Sequence, residues 1–127
     1  MGRAGLTFDT GALIALHRRK HRMSAVFAAA TKQGLVITVP TAVVAEWWRG
    51  TDVRHANLLL SAVNVEELSV PLSKAAGEAL AAIPSATTID AVVMASAARR
   101  GDIVYTSDVG DLAALQPHFP GVRILRA

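Results

Sequence analysis

Four acidic residues, Asp9, Glu46, Asp90 and Asp108, are spaced along the 127-residue chain so that each falls on or beside a predicted helix. Asp9 stands where the short apolar run Leu6-Thr7-Phe8 stops and the helical pattern Thr10-Gly11-Ala12-Leu13-Ile14-Ala15-Leu16 begins. A carboxylate at such a junction is held by rigid backbone while its side chain is free to face a cleft. Asp90 lies in the first turn of a helix capped by Thr87 or Thr88, and Asp108 directly follows the apolar stretch Ile103-Val104-Tyr105. Glu46 sits deeper in its helix and joins the others only if that helix is aimed across a crevice.

Taken singly, each acid has an ordinary structural reading. Asp9 caps a helix, Asp90 complements a helix dipole, Glu46 is a solvated helix residue and Asp108 is a turn or cap residue. Brought together, they imply a different chemistry. Clustered carboxylates repel and raise one another's pKa, and a hard cation such as Mg²⁺ or Mn²⁺, which takes oxygen ligands and keeps several waters, relieves that cost. The chain has no cysteine and its four histidines are scattered in sequence, which argues against zinc and against a catalytic histidine. An acidic site with basic surroundings suits metal-assisted hydrolysis of a phosphodiester.

The elements that must position these acids follow from the periodicity. Leu6 to Phe8 reads as a buried strand, followed by a helix from Thr10 to Arg18 and a second from Met23 to Gln33 that Gly34 ends. The basic run Arg18-Arg19-Lys20-His21-Arg22 closes the first of these helices. Leu35 to Val39 is a continuous apolar and β-branched run, expected of a strand covered on both faces. Pro40 opens a helix running to Arg49, and another spans Asp52 to Ala62. Val65 to Val70 reads as a strand, Pro71 starts a helix ended by Ile83-Pro84, and a further helix covers Ile89 to Arg100. Then come the strand Ile103 to Tyr105, a short helix from Asp111 to Leu115, and a last strand from Val122 to Leu125. Strands separated by helices imply βαβ units, an α/β fold with a parallel sheet covered on both faces. In such a sheet, sites form beyond the carboxyl ends of the strands. Asp9, Asp90 and Asp108 can meet there.

Length and composition set the remaining bounds. The chain reads as one domain over 1–127, since 52% hydrophobic and 18% charged residues exclude disorder. The absence of cysteine excludes disulfides and fits the cytoplasm. No apolar run reaches the roughly 18 residues needed to span a bilayer. Asp9 interrupts any signal-like segment, and Met1-Gly2 lacks the downstream Ser or Thr of a myristoylation site. The formal charge of +3 is compatible with a polyanionic partner. Arg49, Arg54, Arg99 and Arg100 follow helical segments, adding to the basic run.

Four blocks, in this order and at these separations, resemble the PIN-domain ribonucleases, and among them the VapC toxins of bacterial toxin–antitoxin pairs. They are Asp9 to Leu16, Pro40-Thr41-Ala42-Val43-Val44-Ala45-Glu46, Asp90 to Ala97, and Thr106-Ser107-Asp108 with Asp111-Leu112 after it. The resemblance covers about Leu6 to Leu125. It implies a three-layer α/β/α sandwich around a parallel sheet, and an acidic quartet of Asp9, Glu46, Asp90 and Asp108 holding Mg²⁺ or Mn²⁺. Asp111 resembles an additional, less constant acid of the family. Thr10 and Thr106 resemble hydroxyls that orient the acids or a bound water. It further implies a metal-dependent endoribonuclease that cuts RNA to leave a 3′-hydroxyl and a 5′-phosphate, a homodimer, and a cognate VapB-type antitoxin whose tail covers the active-site groove in a toxin–antitoxin hetero-oligomer. The residues before Asp90, Thr87-Thr88-Ile89, lack the basic or aromatic residue that some members carry there.

Two rival readings differ in class. Asp9-Thr10-Gly11 matches the signature of aspartic proteases, but that fold is all-β, whereas this chain is rich in helical patterns. A non-catalytic α/β module such as a phosphoacceptor receiver needs an acid closing its middle strand, and Val65 to Val70, taken as that strand, ends in Pro71-Leu72-Ser73. Of the adjacent Trp47 and Trp48, which point about 100° apart on a helix, one is expected in the core and the other at a protein interface rather than both stacking on bases. The run Arg18 to Arg22 is a solvated helix end or a contact for RNA or antitoxin. Asp52, Glu66, Glu67, Glu78 and Asp102 are expected on the surface.

Overall fold

The computed structural model of the chain describes residues 4–127, so that Met1-Gly2 lies outside the described residues. β1 (Leu6–Phe8), β2 (Ile37–Pro40), β3 (Asn64–Glu66), β4 (Ile103–Thr106) and β5 (Arg123–Arg126) form one five-stranded sheet in the order β3-β2-β1-β4-β5. Every pairing is parallel, with Leu6 opposite both Ile37 and Ile103, and Phe8 opposite Tyr105. Among the described residues seven helices flank it: α1 (Thr10–His17), α2 (His21–Lys32), α3 (Thr41–Trp47), α4 (Val53–Ser61), α5 (Val70–Ala82), α6 (Thr88–Arg100) and α7 (Val109–Ala113). The result is the expected α/β/α sandwich with a central parallel sheet.

The chain moves outward from β1 to β3 on one side, then crosses back to place β4 and β5 on the other. The order therefore reverses between β1 and β4, where a parallel sheet opens a crevice at its carboxyl edge. Asp9 directly follows β1 at that edge, and Ser107-Asp108 directly follow β4.

Packing explains why the motif around Asp90 is so rich in small apolar residues. From Ala91 to Ala97 every residue of α6 is buried, Ser96 included. A helix apolar all round belongs inside a fold, and α6 lies against β1, β2 and β4 with α3, α5 and α7 packed on it. Thr87 caps it, accepting from Asp90 N at 3.2 Å, and Gly101 ends it with φ +72°. Phe8, Leu13, Met23, Leu72 and Leu112 join Met94 of this helix among the largest fully buried side chains of the core.

Several boundaries differ from expectation for local reasons. The basic run does not simply close α1. Arg18 is its C-cap and Arg19 takes φ +56°, so His21 and Arg22 begin α2. α3 stops at Trp47 rather than Arg49, because Trp48 leaves the helix in an extended conformation (φ −65°, ψ 128°). The strand expected over Val65 to Val70 contracts to the edge strand Asn64–Glu66. Ser69 accepts from Leu72 N at 3.2 Å and Pro71 sits at the helix start, drawing Val70 into α5. Since β3 is an edge strand and β1 the middle one, closed by Asp9, the argument against a receiver module from Val65 to Val70 does not hold. The wholly parallel sheet, in contrast, is incompatible with an all-β aspartic protease.

Two acids assigned to the surface are internal. Asp102 is only 2% exposed, accepting from Gly5 N (2.9 Å), Thr7 Oγ1 (2.8 Å) and Arg100 Nε (2.8 Å). Glu66 is partly buried and accepts from Ser96 Oγ (2.6 Å) and Arg100 Nη1 (2.8 Å). Arg100 is thus committed to internal ion pairs and does not belong to a basic outer surface.

Candidate active site

Asp9 is the N-cap of α1, its Oδ1 accepting from Ala12 N at 2.9 Å. It is 6% exposed, and burial pushes its carboxyl up from the usual carboxylate value, with the charges of Asp90 and Asp108 adding to the rise. Hydrogen bonds from the Thr106 hydroxyl and Ala12 N oppose that rise. Thr106, fully buried at the end of β4, also accepts from Asp108 N at 2.8 Å, so one hydroxyl ties the ends of β1 and β4 together.

Asp90, half-buried in the first turn of α6, is likewise raised. Desolvation is the main cause, followed by the charges of Asp111, Asp108 and Glu46, against a lowering hydrogen bond to Thr87. Asp108 is exposed, and its raised value comes chiefly from a hydrogen bond to Asp111 and from that residue's charge. Glu46, exposed on α3, accepts a short hydrogen bond from the Thr10 hydroxyl, next in the chain to Asp9. Asp90 thus lies within electrostatic reach of each of the other four predicted acids at the carboxyl edge, and the two predicted threonines touch the cluster.

Ser107 packs so closely on α1 that a β-carbon at Gly11 would stand 1.8 Å from its Oγ. The glycine in Asp9-Thr10-Gly11 is required by that approach.

The donor set fits Mg²⁺ or Mn²⁺ in chemistry. It is all carboxylate and hydroxyl oxygen; burial chiefly raises Asp9 and Asp90, Asp111 raises Asp108, and neighbouring carboxylates add to the rise at each. Among the described residues no group of three or more His, Asp or Glu side chains is gathered closely enough to hold a metal ion as it stands.

Beside Glu46 opens a cleft of about 450 Å³ whose walls include His17, Arg18, Trp48, Arg49, Thr51 and Asp52. Trp47, also on its wall, is 5% exposed, while Trp48 is 36% exposed, so one indole is core and the other is not. The histidines are less scattered than their spacing suggests. The rings of His17 and His55 lie 5.0 Å apart, and His17 meets Trp47 edge-on at 5.3 Å. His17 Nε2 is 3.3 Å from Asp52 Oδ2 but too poorly aligned for a hydrogen bond, leaving both histidine Nε2 atoms buried without a partner among the described protein atoms. No local signal announces this pair, since its members belong to α1 and α4 and meet only through packing.

A parallel α/β domain with carboxylates gathered at the β1–β4 crevice defines a class of acidic-site α/β proteins. Within that class, the PIN domain family model matches residues 6–114, and the chain belongs to the PIN-domain family. No curated protein matches it in sequence. Among solved structures it is similar to VapBC2 from Rickettsia felis bound to a promoter DNA fragment, with a TM-score of 0.76 at 11% identity over 96% of this chain and 98% of that one. It is also similar to DNA-bound VapBC from Salmonella typhimurium, with 0.72 at 14% identity over 98% of each chain. A toxin–antitoxin complex from Klebsiella pneumoniae gives 0.67 at 19% identity over 93% and 95%. At these identities the likeness is one of fold.

Proposed function

We propose that the protein is a Mg²⁺- or Mn²⁺-dependent endoribonuclease acting as the toxin of a type II toxin–antitoxin pair. The observation that carries this reading is the gathering of Asp9, Asp90 and Asp108 at one edge of the sheet, near enough for the charges of Asp90 and Asp108 to act on Asp9, with Glu46 reaching the same edge through Thr10. Membership of the PIN-domain family supports the nuclease class. The likeness to chains from VapBC and other toxin–antitoxin complexes supports the toxin role and a small VapB-type antitoxin as partner. No helix among the described residues is long and apolar enough to cross a membrane, in keeping with a protein that meets RNA in the cytoplasm. A homodimer belongs to the same reading.

Asp9 and Asp90 would be the principal ligands, with Glu46, Asp108 and Asp111 completing ligation directly or through water. When bound, the cation would supply activated water and charge stabilisation at the phosphate. The chain's own residues do the positioning. Thr106 and Ala12 N hold one face of Asp9, leaving its remaining lone pairs for the crevice. Thr10 fixes Glu46, and the Asp108 backbone is pinned by Thr106. The Asp108 carboxyl, raised by Asp111, holds a proton more readily than an ordinary carboxyl until positive charge arrives.

The test is cleavage of single-stranded RNA by antitoxin-free protein. Activity with Mg²⁺ or Mn²⁺ that disappears in EDTA, and in Asp9→Asn and Asp90→Asn, is expected. Equal cleavage in excess EDTA, or full activity in both variants, overturns the reading.

A further inference from the structure

We propose that the cleft beside Glu46 seats one unpaired nucleotide of a single-stranded RNA, next to the phosphate held at the acidic edge. Its base stacks on Trp48, and Arg18 and Arg49 hold the flanking backbone. This rests on the nuclease reading and adds to it a substrate subsite.

Continuity comes first. Glu46 lines the cleft and accepts from Thr10, the neighbour of Asp9 in the chain, so the cleft adjoins the acidic edge at Glu46. Its volume of about 450 Å³ falls within the roughly 300–1,000 Å³ of small-ligand sites. Charge comes second. The acidic edge repels every phosphate but the one a cation neutralises, so neighbouring phosphates need cations outside it. Arg18 and Arg49 are both exposed on the cleft, and neither is ion-paired among the described residues. Arg49 is steadied by its Nη1 donating to the Trp48 carbonyl at 3.0 Å, which keeps guanidinium and indole in one neighbourhood.

Shape is the third observation. Trp48 is turned out of α3 into the cleft wall by its extended backbone, 36% exposed, while its ring is braced edge-on against buried Trp47 at 6.0 Å. A braced, exposed indole costs little entropy on binding and offers a flat face to any base, the device by which single strands are held without regard to sequence.

The experiment uses Asp9→Asn protein with Mg²⁺, a background that leaves RNA uncut, and a labelled mixed-sequence oligoribonucleotide. Expected are saturable quenching of tryptophan fluorescence and binding by anisotropy that weakens about tenfold or more in Trp48→Ala, the scale of one lost stacking contact. Trp48→Phe should retain most of the affinity. Arg49→Ala should reduce the slope of log affinity against log salt by about 0.7, the contribution of one phosphate contact on a single strand. Unchanged binding by Trp48→Ala, or equal quenching by a polyglutamate peptide, overturns the subsite. Cleavage assays with Asp9 intact separate the two ideas. Cleavage whose KM is the same in Trp48→Ala removes the subsite and leaves the nuclease. Trp48-dependent binding with no cleavage under Mg²⁺ or Mn²⁺ removes the nuclease and leaves a nucleotide-binding cleft.

Discussion

Gly11 and Ser107 meet where the start of α1 passes the turn after β4, so closely that a β-carbon on Gly11 would lie 1.8 Å from Ser107 Oγ and 2.8 Å from its Cβ. Ser107 precedes Asp108, and Gly11 follows Asp9 by two residues, so this contact sets the approach of the two acids. Gly11→Ala must push the turn away and draw Asp108 from Asp9. Overpacking of this kind costs about 1–3 kcal/mol, and nuclease activity should fall at least tenfold. Adding Ser107→Gly to Gly11→Ala removes the obstructing atoms and should recover most of both losses. A double variant no better than Gly11→Ala would show that the contact does not govern the site.

The raised carboxyls make a prediction about pH. Asp9, Asp90 and Asp108 sit above the ordinary value of 3.8 in the folded protein, so the native state binds protons more readily than the unfolded chain there. Their stabilising contribution is fully present below the unfolded carboxylate pKa and is lost as pH rises through the raised folded values. In EDTA, then, wild-type protein should lose stability relative to Asp9→Asn between mildly acidic and neutral pH. Saturating Mg²⁺ should reverse that loss near neutrality, by about 2.7 kcal/mol at a hundredfold excess over Kd. It should do little below pH 4, where these carboxyls are protonated. Thermal melts of both proteins with and without Mg²⁺ measure this, and parallel curves at every pH would contradict it.

Much of this was legible because it is written locally. Apolar runs alternating with capped helical patterns place every strand and helix within a few residues, and the carboxyl-edge rule then carries Asp9, Asp90 and Asp108 to one crevice. Thr87, Pro71 and Gly101 act where they stand in the chain. What escaped depends on distant partners. Asp102 follows a helix-ending glycine and is expected on the surface, yet it is buried where Gly5 and Thr7, far away in sequence, donate to it. His17 and His55 stack through the packing of α4 on α1. Trp48 reads as helical, and its exit into the cleft follows from the early end of α3. The all-β rival arose from Asp9-Thr10-Gly11 itself, where glycine is demanded by Ser107 rather than by a protease turn.

Thr10 orients Glu46 without being a ligand of necessity. Thr10→Val keeps the shape and removes the hydroxyl that donates to Glu46 Oε1. Because both side chains reach solvent, the stability cost should stay near 1 kcal/mol, while cleavage should fall about tenfold through kcat. Thr10→Ser restores the donor and should restore the rate. Equal impairment in Thr10→Ser and Thr10→Val would mean that packing of the threonine methyl, not orientation of Glu46, is what matters.

Asp102 predicts stability separately from function. It precedes β4 and binds Gly5, which precedes β1, so it lies at the opposite end of these strands from Asp9 and Asp108. Its carboxylate accepts three hydrogen bonds, one of them from Arg100, whose guanidinium also engages Glu66, Thr7 and Ser96. Removing one partner of a buried ion pair leaves the other uncompensated and typically costs about 3–5 kcal/mol. Asp102→Ala should fall in that range by urea unfolding, with Gly5 N and the Arg100 Nε left without their acceptor. Asp102→Asn keeps acceptor capacity for Gly5 or Thr7 and should cost less. In either variant the fraction that remains folded should cleave RNA at the wild-type rate, because no acid at the carboxyl edge has moved. A loss under 1 kcal/mol in Asp102→Ala would mean that water replaces the carboxylate and that the strands' amino ends are held by packing alone.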